Sequence, residues 1–156
     1  MHCNYNSNYK YNQNSEIMRE IRYRGIGIAE RKWVFGSLWF DTRDGVTLIW
    51  SEELKYWVRV DPATVGQYTG LKDKNGKKIF EGDIIKWDDQ SNGRYWRFAV
   101  VRIDPDIQFD CSPIDCINGV FNSGRYNFRY ACFAYKDTDN YLSVIGNIHD
   151  NADLIK

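Results

Sequence analysis

Apolar and polar positions alternate along most of this chain with a period of about two, the spacing of half-buried β-strands. Over residues 19–28, Ile21, Tyr23 and Gly25 fall on one side and Glu20, Arg22 and Arg24 on the other. Lys32 to Phe40 is a dense aromatic run that stops at Asp41-Thr-Arg-Asp-Gly45, a turn composition, and the pattern restarts at Val46 to Trp50. Tyr56 to Val60 alternates again. Asp61-Pro-Ala-Thr then pairs a good N-cap with a proline suited to the first helical position, which predicts one helical turn. A second short turn is predicted over Ser51 to Lys55.

The most legible stretch is Val65 to Lys86. Gly66 to Thr69 reads as a strand, and Asn75-Gly76 predicts a type I′ hairpin. Lys78 to Phe80 returns, Glu81-Gly82-Asp83 turns, and Ile84 to Trp87 departs. Asn92-Gly93 marks another hairpin into Tyr95 to Ile103, with Trp96, Phe98 and Val100 on one face and Tyr95, Arg97 and Ala99 on the other. Pro105 to Gly124 is rich in turn residues with little periodicity and reads as a long loop with room for a strand inside. Tyr126 to Tyr135 predicts a strand whose inward set is Tyr126, Phe128, Tyr130 and Cys132. Tyr141 to Ile148 is the last strand, followed by a short helical turn near the C-terminus.

Many short strands with regular turn signals predict a mainly β fold, a small SH3-like barrel or two-layer antiparallel meander with short helical turns. The 156 residues suit one domain over 18–156, preceded by a flexible tail over 1–17 that is rich in Asn and Tyr and poor in aliphatic residues. Met18 then stands as an alternative translation start.

Composition adds two constraints. Aromatic residues make up 16% of the chain, which favours strands and puts more ring surface into play than one small core encloses. Alternation alone does not divide Trp33, Trp39, Trp50 and Trp57 between core and surface. The 21 basic and 21 acidic residues balance to zero formal charge, which argues against a coat for duplex nucleic acid and against polybasic membrane attachment. No apolar run approaches the ~20 residues of a membrane span, and the polar N-terminus has no signal-peptide core. The expected location is the host cytoplasm, with Cys3, Cys111, Cys116 and Cys132 as free thiols.

The segment Gly66-Gln-Tyr-Thr-Gly-Leu-Lys-Asp-Lys-Asn-Gly-Lys-Lys-Ile-Phe-Glu-Gly-Asp-Ile-Ile85 resembles the signature of the YopX family of phage and prophage proteins. Met18-Arg-Glu-Ile-Arg-Tyr-Arg24 resembles its opening, and Val144-Ile-Gly-Asn-Ile-His-Asp-Asn-Ala-Asp-Leu154 its closing motif. The resemblance runs from Met18 to Ile155 and fades over Pro105 to Gly124. It implies a mainly β accessory protein of a mobile element and supplies no catalytic residues.

Site chemistry is sparse. Cys111, Cys116, Cys132 and His149 are zinc-type donors, but neither a Cys-x-x-Cys knuckle nor a His pair is present, so no metal site is assigned. Counted from Asp73, an EF-hand would need Gly and Glu where Lys78 and Ile84 stand. His149 has no nucleophile motif around it, and no dinucleotide or phosphate loop occurs. Glu81/Asp83 and Asp104/Asp106 sit in turn contexts. The expectation is therefore no catalytic residue, no cofactor and no identifiable small-molecule substrate.

The leading reading is a non-enzymatic module that binds a protein partner or forms a homo-oligomer. The second is single-stranded nucleic-acid binding by a small β barrel, with Arg94, Arg97, Arg125 and Arg129 interleaved among aromatics. An unidentified enzyme is third.

Overall fold

The computed structural model describes residues 20–90 and 93–155. The expected tail over 1–17, the start at Met18 and Asn92 of the Asn92-Gly93 turn lie outside the described residues.

The first half of the chain forms β1 (Tyr23–Ile26), β2 (Trp33–Asp41), β3 (Val46–Ser51), β4 (Trp57–Arg59), β5 (Gly66–Lys72) and β6 (Lys78–Phe80). The second forms β7 (Asp83–Asp88), β8 (Trp96–Ile103), β9 (Ile107–Asp110), β10 (Cys116–Ile117), β11 (Val120–Phe121), β12 (Asn127–Arg129), a single helical turn α1 (Thr138–Tyr141) and β13 (Ser143–Asn147). Three 3₁₀ turns punctuate them, at Pro62–Thr64, Tyr130–Cys132 and Ala152–Leu154. The first is the turn expected after Asp61, whose side chain accepts a hydrogen bond from the Ala63 amide.

The strands build a six-stranded sheet in the order β4-β3-β2-β1-β5-β6 and a five-stranded sheet in the order β12-β9-β8-β7-β13, with β10 and β11 as a separate hairpin. All described pairings are antiparallel. The fold is mainly β as expected, but the sheets do not close into a barrel. The meander β1 to β4 curls until Gly27 bridges Val60, yet β1 gives its other edge to β5 through Tyr23 opposite Gln67 and Arg24 opposite Gly66.

The five-stranded sheet is covered on both faces. Ile85, Trp87, Ala99, Val101 and Phe109 pack on one side with Phe133 and Leu142, and Ile79 of β6 joins them. Ile84, Phe98 and Val100 pack on the other, under Ile114 and Ile117. Hence both sides of β8 are buried, where alternation alone suggested one. A smaller core of Val34, Ile49 and Val60 fills the curl of the first sheet.

Three local expectations change. At the β5–β6 turn Gly76 has φ of 76° and its amide donates to the Asp73 carbonyl, while Asn75 is not among the residues with positive φ. A type I′ turn needs positive φ at both central residues, so this is the longer hairpin with glycine closing it. The predicted strand Tyr126 to Tyr135 shortens to β12. Phe128 and Phe133 both pack edge-on against Trp87, at 5.6 and 5.3 Å, and residues five apart on one strand would point to opposite faces. The 3₁₀ turn at Tyr130–Cys132 reverses that parity, so Phe133 is buried and Cys132, expected inward, is exposed; Tyr126, ahead of β12, is exposed as well. The stretch read as a loop, Pro105 to Gly124, contains β9, β10 and β11. Asn122 anchors it: its side chain accepts from the Phe98 amide and donates to the carbonyls of Phe98, Cys111 and Ile114.

Candidate interaction surface

Residues directly opposed in an antiparallel ladder share a face of the sheet. In the six-stranded sheet Ser37 opposes Trp50, which opposes Trp57, and Trp39 opposes Leu48, which opposes Arg59. Phe35 opposes Arg24 on β1 and stands two positions before Ser37, so it lies on the same side. The other side carries Val34, Leu38, Ile49 and Val58, which pack in the small core. Parity thus sorts the aromatic run of β2, which its composition leaves unsorted.

The outward face holds a cluster of indoles. Trp57 sits between Trp39 and Trp50, with ring centroids 6.0 and 5.6 Å away. Trp39, Trp50 and Trp57 keep 48%, 36% and 45% of their surface exposed, and Phe35 keeps 42%. Close approach of β2 and β3 at Gly36 presents the cluster: a Cβ there would lie 1.8 Å from the Trp50 carbonyl oxygen. Large rings held together in water carry a hydration cost, which makes this face the candidate interaction surface among the described residues.

Toward β5 and β6 the same face becomes closed. Phe35 packs on Phe80 at 5.6 Å and Phe80 on Tyr68 at 5.5 Å. Arg24 is buried there, its guanidinium 4.8 Å from the Trp33 ring centroid and 5.1 Å from that of Phe80. It pairs with Asp83 at 2.6 Å and donates to the Glu81 carbonyl at 3.1 Å. Asp83 also accepts from the Phe80 amide at 2.8 Å, so the turn role expected of Glu81-Gly82-Asp83 holds and a charge partner is added. Burial pushes the Asp83 carboxyl up from its ordinary value, against the pull of Arg24.

Beside this pair lies a cleft of about 370 Å³ walled by Arg22, Trp33, Phe35, Lys77, Lys78 and Asp150. Its cations are largely engaged: Arg22 pairs with Glu20 and Glu52, and Lys78 with Glu20. At its far wall Asp150 accepts from the Trp33 indole at 2.9 Å and from the Asn147 amide at 2.7 Å. His149 packs on Trp33 at 5.8 Å, and burial, with Arg24 nearby, holds it below the usual histidine range.

The arginines singled out from sequence lie on the other sheet. Arg94 is exposed just ahead of β8. Arg97 pairs with Asp89 at 2.9 Å, donates to the Ser123 carbonyl at 2.8 Å, and lies over Tyr126 and Phe128. Arg125 pairs with Asp115 at 2.6 Å and Arg129 with Asp106 at 3.3 Å.

Of the cysteines, Cys111 and Cys116 are free, whereas Cys132 is disulfide-bonded, which corrects the expectation of a free thiol there. Composition does not say which sulfurs the fold brings into reach. Burial raises the Cys111 thiol to about 12. Among the described residues no group of three His, Cys, Asp or Glu side chains has metal-holding geometry. No helix among them is long and apolar enough to cross a membrane.

The three segments that resembled a family signature meet in space. Arg24 of the opening segment grips Asp83 of the central one, and Asp73 of the central one accepts from the Val144 amide of the closing one at 3.0 Å. The family model described as YopX protein matches residues 2–156. The chain belongs to the YopX family. None of the curated proteins matches it. Among solved structures, protein EF1440 from Enterococcus faecalis is similar at 20% identity, over 88% of this chain and 99% of that one, with a TM-score of 0.45. In this YopX chain the signature residues serve to join strands, and the exposed tryptophans lie outside the signature segment.

Proposed function

We propose that this YopX protein is a non-enzymatic binding module of a phage or prophage, acting in the host cytoplasm through the exposed tryptophan face of its six-stranded sheet. The observation that carries this reading is the clustering of Trp39, Trp50 and Trp57 on one solvent-facing side. Tryptophan is enriched among the few residues that dominate protein interfaces, because it buries a large area with little side-chain freedom lost. The curl of β1 to β4, tied by the Gly27–Val60 bridge, supports an SH3-like reading of this half.

The test is capture from a host lysate by the tethered protein and by its Trp57→Ser variant. Capture lost in the variant, at unchanged melting temperature, fits the proposal; equal capture by both refutes it.

Single-stranded nucleic-acid binding is the second reading, favoured by the exposed guanidinium groups of Arg125 and Arg129 around β12. Their pairs with Asp115 and Asp106 would have to open, so affinity for a single strand should be measured at low salt, where the phosphate contribution is greatest. Absence of binding there removes this reading.

A further inference from the structure

We infer that the tryptophan face seats a second copy of this chain, the two six-stranded sheets stacking face to face about a two-fold axis. The inference rests on the proposed function, and it names the partner.

Area comes first. Aromatic side chains offer about 150–250 Å² each, so Phe35, Trp39, Trp50 and Trp57, each somewhat under half exposed, present about 350 Å² per copy. Apolar surface is about 60% of a usual interface, which scales this to about 600 Å² per copy and about 1,200 Å² in total, the lower bound of stable assemblies.

Charge selects the occupant. A rim of one sign would call for an oppositely charged partner, and a nucleic acid would need a cationic one. Here Arg22, Arg43, Lys55 and Arg59 are set among Asp41, Glu52 and Glu53 on the strands and turns that carry the indoles, and the whole chain carries zero formal charge. Two identical copies therefore approach without net repulsion, and both signs are present to be matched.

The placement of these charges fits a two-fold. Arg59 lies in the row of Trp39 and Leu48, on one side of the row formed by Ser37, Trp50 and Trp57. Glu52, held by Arg22, lies on the other side, past Ser51. An axis running along the Trp50–Trp57 row turns one copy end over end. It sets Arg59 of each over the β3–β4 turn of the other, which carries Glu52, Glu53 and Lys55, and stacks indole on indole. This is a self-complementary contact that closes at two chains, so it does not propagate into fibres.

Sedimentation equilibrium on the full chain over a wide concentration range tests this. The expected result is a mass rising from 18.4 kDa to twice that value. Trp57→Ser should weaken the association at least tenfold. Ser37→Lys, which puts a charge on the exposed position opposite Trp50, should do the same without touching the core. A monomer at every concentration overturns the inference, as does a dimer indifferent to both substitutions. A monomer that still shows Trp57-dependent capture from lysate leaves the proposed function standing with another partner. A monomer without such capture removes both.

Discussion

Arg24 on β1 and Asp83 at the start of β7 form a buried ion pair of 2.6 Å that links the two sheets of this YopX protein. Removing one member of such a pair strands a charge in a dry site, which typically costs about 3–5 kcal/mol, whereas removing both is far milder. Arg24→Met should therefore unfold the protein at markedly lower denaturant, and Arg24→Met with Asp83→Asn should cost less than the two single changes summed. The carboxamide introduced by Asp83→Asn would keep an oxygen for the Phe80 amide. Chemical denaturation of the four proteins of this cycle measures it.

Asp73 should contribute to the acid sensitivity of the fold. Burial works against its charge, but amides of Val144, Lys77 and Asn75 donate to its carboxylate and hold its pKa below the ordinary value. A carboxyl depressed in the folded state contributes stability in full above its unfolded pKa of about 3.9 and loses it as pH falls through the folded value. Asp73→Asn should lower stability at pH 7 by about 1–2 kcal/mol and flatten the stability loss below about pH 4. Thermal melts against pH, wild type and variant together, give both numbers.

Asn122 should prove the most sensitive residue of the segment between β9 and β12. Its amide joins Phe98 on β8 to Cys111 and Ile114, so Asn122→Ala leaves several buried backbone groups unpaired, at about 2–3 kcal/mol. Calorimetry should show the loss, and exchange of the amides in β10 and β11 should accelerate.

The two thiols that are free among the described residues should react at very different rates. Cys116 is exposed, while Cys111 is enclosed and its thiol is raised to about 12, so almost no thiolate forms at neutral pH. Brief alkylation of the native protein followed by peptide mass mapping should find Cys116 modified and Cys111 intact. Equal labelling would contradict the burial of Cys111 in the core it shares with Trp87 and Phe109.

Much of the scaffold was legible because turn chemistry and alternation are local. The strands around Val46 to Trp50, Lys78 to Phe80 and Ile84 to Trp87 stand where their patterns placed them. What stayed hidden was long-range. Arg24 alternates onto the polar side of β1 and yet is buried, because Asp83, remote in sequence, neutralises it. The strand expected to run from Tyr126 breaks at Tyr130, because Phe133 reaches the ring cluster that Phe128 also joins. The tryptophans could be assigned to a face only once β2 had a partner in known register. In β4 the fold spaces Trp57 and Arg59 two apart on the outward side, and nothing in the composition of that segment says which side faces out.

In the proposed function the signature segment from Gly66 to Ile85 is scaffold, and β2, β3 and β4 carry the working surface. Hydrogen–deuterium exchange of the whole chain at low and high protein concentration tests it most directly. Exchange at Phe35 to Trp39, Leu48 to Trp50 and Trp57 to Arg59 should slow as concentration rises, while the segment from Gly66 to Ile85 stays equally protected throughout. Concentration-dependent protection at the signature segment, with none on the tryptophan strands, would instead place the contact on the signature segment and overturn this assignment.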